Sequence, residues 1–470
     1  MRTARFVSIV LMLFIASCTA TPPKPNLGAI YNTAAQGIGD ERTPVCVIPG
    51  ILGSKLETED GFKVWGSFTF GAADADTPKG ARAIGLPMEL GTPLVSLRDD
   101  VLPIEVLDVA VADVAIFRGL EFGAYVDILK TLAAGKYRDQ SLGRAGVVNY
   151  GGLHYTCFQC AYDWRRDISE QAVALHEKIT EAQELNRAAR KLPPGYPIKV
   201  DLVAHSMGGM VARYYLMYGP HPLPIDGSMP EVTWEGARNV SRAIIIGTPN
   251  AGSVLALKQL VDGWDLNPLF PNYRPAMLGT MPAIYGLMTR TRHARVVDTS
   301  GAPVDLYDLT TWQRYKWGLA NDGAETDRVL RWLLPEVASK EQRRTIALDH
   351  LKKCLDKAKQ LHAALDVPAP FPPGLEVHLF AGDAVQTAEI ITVSGAGKLR
   401  ITTKAAGDGT VTRNSALMDE RVGSDWRVGL QSPIPWTSVH FIAADHIGLT
   451  SAPAFSDDAL FLLLEAPRTP

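Results

Sequence analysis

The stretch that most constrains this chain is Ile198–Tyr215, IKVDLVAHSMGGMVARYY. Ile198, Val200, Leu202 and Val203 are apolar and β-favouring. Met210, Val211, Tyr214 and Tyr215 then recur at helical spacing. Between the two patterns lies Ala204-His205-Ser206-Met207-Gly208-Gly209, a G-x-S-x-G turn with Ala in the first position. Such a turn needs small residues on both sides of the serine, because it brings a strand and a helix close together. Ala and Gly both meet that need. The turn exposes the serine hydroxyl at the strand's carboxyl end and at the positive end of the following helix. Ser206 is therefore the candidate nucleophile.

The flanking segments place this unit in a larger sheet. Ile168, Ala172, Leu175, Ile179, Ala182, Leu185 and Ala189 mark one face of a helix that Pro193-Pro194-Gly195 ends. Asp167 and Glu170 have capping-box spacing at its start. A helix feeding a strand in this way is expected of a doubly wound parallel sheet. Ala243-Ile244-Ile245-Ile246 reads as a strand buried on both faces. The loop Gly247–Ser253 would end on the same sheet edge as Ser206, where sites in such folds lie. Upstream, Pro44–Ile48 is a short buried strand running into Pro49-Gly50-Ile51-Leu52-Gly53-Ser54. A Gly-rich loop of this kind can aim backbone N–H groups at a reaction centre. The second N–H comes from the residue after the nucleophile. Ile51 and Met207 are the candidates.

A serine hydroxyl needs a base, and the base needs a carboxylate to orient it. Chain order in α/β-hydrolase proteins is Ser, then Asp or Glu, then His. Asp408, in Gly407-Asp408-Gly409, and His446, in a loop after the last strand pattern, fit that order. Asp383 competes with Asp408 on pattern alone. His440 competes with His446, although it lies within the strand. His205 is expected on the other side of the turn, as packing.

The remaining organisation follows from composition. Arg2 and Arg5 precede the apolar run Phe6–Ile15, too short to span a bilayer and shaped like a secretory signal peptide. Ile15-Ala16-Ser17-Cys18 resembles a bacterial lipobox, which implies cleavage before Cys18, lipidation of its sulfur and anchoring to a membrane of the bacterial cell envelope. The expected divisions are a signal peptide over 1–17, a flexible tether over 18–43, a first core part over 44–253 with an insertion at about 57–149, a cap insertion over 254–373, and a second core part over 374–466. The cap, rich in Trp, Met and Tyr, reads either as an acyl-chain or membrane surface or as a self-packed helical subdomain. Its long helix runs from about Lys340 to Leu365, with His350 and His362 expected at the surface. A net charge of −3, with no basic block, argues against nucleic acid as a partner. Cys157-Phe-Gln-Cys160 has C-x-x-C spacing but no second pair to complete a zinc site, so a local disulfide or two free thiols is expected. Cys46 reads as core. The residues imply no metal and no organic cofactor.

Six motifs occur together in order: Pro49–Glu57, Tyr162-Asp163-Trp164-Arg165, Ala204–Gly209, Gly247–Ser253, Gly407–Val411 and Asp445-His446. As a set they resemble the lecithin:cholesterol acyltransferase family, with its phospholipid:diacylglycerol acyltransferases and related phospholipases A. The resemblance runs from about Pro44 to His446 and is weak in the two insertions. It implies an α/β-hydrolase core with a cap and a lid. It also implies a triad of Ser206, Asp408 and His446, with oxyanion donors Ile51 and Met207. The substrate would be a lipid ester and the acceptor water or a lipid alcohol. The segment after Glu57 departs from the family in lacking the flanking lid cysteines, which puts Trp65 as a lid residue in doubt. A soluble-ester hydrolase and a catalytically idle lipid-binding lipoprotein are the alternative readings.

Overall fold

A computed structural model describes residues 24–37, 42–66, 72–107, 123–264, 272–422 and 427–468. Cys18 and the expected signal peptide lie outside the described residues, as do part of the tether and of both insertions.

The strands, in chain order, are β1 (Val45–Ile48), β2 (Ser54–Thr58), β3 (Lys63–Trp65), β4 (Val101–Val106), β5 (Cys157–Gln159), β6 (Val200–His205), β7 (Val240–Ile246), β8 (Val296–Asp298), β9 (Glu376–Gly382), β10 (Val385–Val393), β11 (Leu399–Gly407) and β12 (Ser438–Ile442). Six of them form the central sheet in the order β12-β9-β7-β6-β1-β5. Every pairing in it is parallel. The strand β6 that leads to Ser206 is therefore central, with β1 on one side and β7 on the other.

The buried runs of β1, β6 and β7 have a direct cause: both faces of the sheet are covered there. Cys46, Ile48, Leu202, Ala204, Ala243 and Ile245 face one core, with Leu175 and Ile179 of the helix Gln171–Ala189 and Met210 and Tyr214 of the helix Met207–Tyr218. Val45, Val47, Val203, Ile244 and Ile246 face the other, with Ile128 and Leu132 of the helix Gly123–Ala134 and Phe455 and Leu463 of the helix Pro453–Leu464. The same alternation separates Cys157 from Cys160, which point into opposite cores as free thiols. The Cys157 thiol donates to Asp139 Oδ2 at 3.2 Å.

Two expectations for the helix Gln171–Ala189 need correcting. Asp167 and Glu170 make no capping box. Asp167 Oδ1 instead accepts from the N–H and hydroxyl of Ser169, and the helix begins later with no side-chain cap. Its buried face also ends differently: Ala189 is exposed, and Asn186 is buried because its amide donates to the carbonyls of Tyr155 and Ala182. A polar side chain with two local acceptors can enter a core that an apolar period would not assign to it.

The segment 254–373 carries several helices and ends in the helix Lys340–Leu365, capped by Ser339. His350 and His362 are buried, against expectation, because each ring donates from Nε2 to a carbonyl of another helical segment, Thr280 at 3.0 Å and Gly286 at 2.7 Å. Trp312 and Trp317 are buried against each other, edge to face with centroids 5.7 Å apart, and so serve the packing of the subdomain itself. One strand of this segment, β8, joins the hairpin of β10 and β11 in a separate three-stranded sheet. That hairpin fills the stretch between β9 and Asp408, which no motif marks in the sequence, and its outer face is exposed along β11.

Candidate active site

The serine turn is strained and pinned. Ser206 adopts φ 54° and ψ −128° between β6 and the helix Met207–Tyr218. A positive φ at a non-glycine residue persists only where the surroundings over-determine it. Here the Ser206 N–H donates to the Ile246 carbonyl at 2.8 Å, and its carbonyl accepts from the Thr248 hydroxyl at 2.8 Å. Small residues are needed for the reason the sequence suggests. A Cβ on Gly208 would lie 2.4 Å from the Pro49 carbonyl oxygen of the neighbouring strand end.

Three other strand ends make room for the same site. A Cβ on Gly50, after β1, would stand 2.7 Å from Ser206 Cβ. One on Gly247, after β7, would stand 3.2 Å from the His446 ring. One on Gly382, at the end of β9, would stand 2.6 Å from Asp408 Cβ. The carboxyl edge of the sheet thus closes around side chains from β6, from the turn after β11 and from the loop after β12.

His446 Nε2 lies 3.1 Å from Ser206 Oγ, and His446 Nδ1 lies 2.7 Å from Asp408 Oδ2. A carboxylate only accepts, so Nδ1 donates to Asp408, and in its neutral form the His446 ring then presents its Nε2 lone pair to the Ser206 hydroxyl. The backbone repeats the contact, with the His446 N–H donating to the Asp408 carbonyl at 2.8 Å. Asp408 Oδ1 accepts from the N–H groups of Thr410 and Val411. Burial pushes the Asp408 carboxyl up, but the His446 ring and these two N–H groups outweigh it and hold the group below the usual carboxylate range. All three residues are buried, Ser206 to 5 %, His446 to 4 % and Asp408 to 1 % exposure.

The competing residues lie elsewhere. His440 bonds Ser438 and Asp458 and stacks on Phe380 at 4.4 Å. Asp383 is half-buried in the turn between β9 and β10. His205 packs behind His446, its ring centroid 4.8 Å from that of His446 and its Nε2 donating to the His446 carbonyl at 3.1 Å. Burial, and then the neighbouring His446, push its pKa down to about 3, which makes it a weak base, and its Nε2 is turned to the His446 carbonyl rather than to Ser206.

The N–H groups of Ile51 and Met207, and that of Leu52 beside them, have no acceptor among the described residues. Ile51 and Leu52 form a tight turn closed by the Gly53 N–H on the Gly50 carbonyl at 3.1 Å, with Leu52 at φ 64°. Trp65 is buried beneath it and donates from Nε1 to the Leu52 carbonyl at 2.8 Å, which fits a packed residue rather than a lid. Tyr162 braces the same turn through a bond from its hydroxyl to the Pro49 carbonyl. Thr248 lies in the loop the sequence marks, though its bond to the Ser206 carbonyl does not show there, and Tyr125, which bonds the Gly50 N–H, is marked by no spacing in the sequence. Their roles depend on contacts across strands.

Residues 139–288 match the family model described as Lecithin:cholesterol acyltransferase. The match takes in Tyr162–Arg165, the Ser206 turn and Gly247–Ser253, and leaves Ile51, Asp408 and His446 outside it. No curated protein sequence matches the chain. Among solved structures, a chain of "The crystal structure of Tle4-Tli4 complex" is similar with a TM-score of 0.53 at 15 % identity, over 90 % of this chain and 98 % of that one. That likeness is one of fold. EstA from Clostridium botulinum aligns with a TM-score of 0.34 at 14 % identity, over 96 % and 92 % of the two chains. Lipase 1 from Pelosinus fermentans aligns with 0.32 at 14 %, over 90 % and 99 %. By its parallel sheet order, its strained serine turn after a central strand and the segment matched over 139–288, this chain has the α/β-hydrolase fold and is similar to the lecithin:cholesterol acyltransferase family.

Proposed function

We propose that this protein is a serine-dependent lipid ester hydrolase or O-acyltransferase that works through an acyl-enzyme. The observation that carries the reading is the chain of hydrogen bonds from Asp408 through His446 to Ser206. In the proposed reaction, His446 takes the Ser206 proton as Ser206 attacks an ester carbonyl. The N–H groups of Ile51 and Met207 hold the oxyanion, each donor worth about 3–4 kcal/mol. His446 returns the proton to the leaving alcohol, and Ser206 stays acylated. Water then releases a fatty acid, or a lipid alcohol accepts the acyl group. Asp408, held ionised, fixes the tautomer that makes His446 a base. A lipid ester is the proposed substrate because the segment around Ser206 is the one that resembles the acyltransferase family.

Lipidation at Cys18 and anchoring in the bacterial cell envelope form part of the same reading and are supported by the lipobox-like sequence alone. Radiolabelled palmitate incorporated into the wild type and absent from Cys18→Ala is the expected result.

The function is tested by mass spectrometry of phospholipid vesicles incubated with the protein or with Ser206→Ala, with and without sterol or diacylglycerol. Lysophospholipid with a new acylated lipid identifies a transferase. Lysophospholipid with free fatty acid identifies a phospholipase. Products equal to those of Ser206→Ala would overturn phospholipid as the acyl donor.

A further inference from the structure

The turn that carries the Ile51 N–H is held peptide by peptide. In the peptide joining Pro49 to Gly50, the carbonyl accepts from the Tyr162 hydroxyl and the N–H donates to the Tyr125 hydroxyl at 2.9 Å. In the peptide joining Leu52 to Gly53, the carbonyl accepts from Trp65 Nε1 at 2.8 Å and the N–H donates to the Gly50 carbonyl. The peptide joining Gly50 to Ile51 lies between these two. Its carbonyl takes the Gly53 N–H, which leaves the Ile51 N–H as its one group without a partner among the described residues. A small residue at Gly50 lets this peptide sit against the nucleophile: a Cβ there would be 3.2 Å from Ser206 Oγ.

Tyr125 also touches the other half of the site. Its ring meets His205 edge to face, with centroids 5.8 Å apart, and His205 donates to the His446 carbonyl. The side chain is 1 % exposed and comes from the start of the helix Gly123–Ala134, far in sequence from both partners. Trp65 in turn is wedged edge-on against Trp164 and Tyr273.

We propose that Tyr125 and Trp65 are positioning residues that aim the Ile51 N–H at the oxyanion, with Tyr125 linking that turn to the His205–His446 wall. The inference rests on the reading of Ser206 as nucleophile and deepens it. Leu52 holds a left-handed conformation that the turn would leave if it were free to relax. Without the Tyr125 hydroxyl the Gly50 N–H is a buried donor with no acceptor, and its peptide rotates to find one. The neighbouring Gly50–Ile51 peptide rotates with it, and the Ile51 N–H leaves its line.

The test compares wild type, Tyr125→Phe and Trp65→Phe on p-nitrophenyl butyrate and on its thiono analogue, in which sulfur replaces the carbonyl oxygen. Sulfur accepts hydrogen bonds weakly, so the thionoester gains little from a well-aimed oxyanion donor. On the oxygen ester, kcat is expected to fall roughly tenfold in each variant with KM changed by less than about twofold. On the thionoester it is expected to fall less than about threefold. Equal losses on both substrates, or no loss on either, would overturn the proposal and leave the nucleophile reading intact. Trp65→Phe carries the comparison if Tyr125→Phe does not fold. Ser206→Ala, run alongside, separates the two failures: if it hydrolyses the oxygen ester as fast as wild type, the nucleophile reading itself is wrong and this inference falls with it.

Discussion

At the carboxyl edge of the sheet this chain leaves side chains out; in the segment 254–373 it packs large ones in. Gly50, Gly208, Gly247 and Gly382 each stand where an added Cβ would press on Ser206, His446 or Asp408 or on the neighbouring strand end. Trp312, by contrast, is buried between Tyr285 and Trp317 and spends its indole N–H on the Leu306 carbonyl. The two regions use burial for different ends. At the sheet edge it fixes a few polar atoms at bonding distance and tolerates backbone strain. In the helical segment it removes apolar area from water and stabilises the subdomain. Changes in the first region should be read out in rate, and changes in the second in stability.

The largest expected effect breaks the first region alone. Asp408→Asn should lower kcat by about 10⁴, because the amide favours the wrong His446 tautomer. Thermal unfolding should move by only a few degrees. A collapse of the fold would show that Asp408 is structural in the way the helical core is. Next, Trp312→Ala should cost about 3–5 kcal/mol of stability by denaturant titration. Its turnover per folded molecule should stay within about threefold of wild type, counted by phosphonate titration. A hundredfold loss per titrated site would tie the helical segment directly to the chemistry. Third, Gly382→Ala should displace Asp408 and reduce kcat roughly a hundredfold, the cost of about an ångström of misplacement in a catalytic group. Steady-state kinetics beside an unfolding curve would separate that loss from instability.

A smaller effect distinguishes the two regions by pH. Burial pushes His350 down to about 4 and His362 to about 3. A histidine depressed on folding is protonated first in the unfolded state. Its contribution is therefore complete above about pH 6.5 and is lost as pH falls toward the folded value, at up to about 1.4 kcal/mol per pH unit for each group. His362→Gln should flatten the fall in stability between pH 6.5 and 4, measured by urea unfolding at each pH. An unchanged slope would assign the acid sensitivity elsewhere, His205 being the next group with the same sign. The smallest effect belongs to the surface of the same helix. Lys352 pairs with Asp356 where both are exposed, and Lys352→Ala should change stability by less than about 0.5 kcal/mol.

Much of the sheet was legible because β1, β6 and β7 are short, largely apolar and buried on both faces, and because Pro or Gly follows β1 and β7. The long helix Lys340–Leu365 was legible through its sustained apolar period, and the Ser339 cap at its start became visible only in the structure. The errors have a common cause. His350, His362 and Asn186 look like surface residues until the carbonyls that receive their N–H groups are in view, and those carbonyls lie on other turns or other segments. The β10–β11 hairpin escaped notice because β11 keeps one face in solvent and carries polar residues there.

By itself the sequence determined where the serine turn lies, that it follows a strand of a parallel sheet, and the chain order of Ser206, Asp408 and His446. These are local properties: residue size, period and position relative to a strand end. Which carboxylate meets which imidazole was decided only by the tertiary structure. Residue pattern left Asp383 and His440 beside Asp408 and His446, and the resemblance to a family favoured the latter pair. Across the fold it is His446 that lies between Asp408 and Ser206, while His440 is turned to Asp458. The same holds for Tyr125 on the Gly50 N–H and for Arg468 on the buried Asp201 at the far end of β6. A hydrogen bond between residues tens or hundreds of positions apart leaves no period or spacing in the chain; it exists only once the sheet has brought the two ends together.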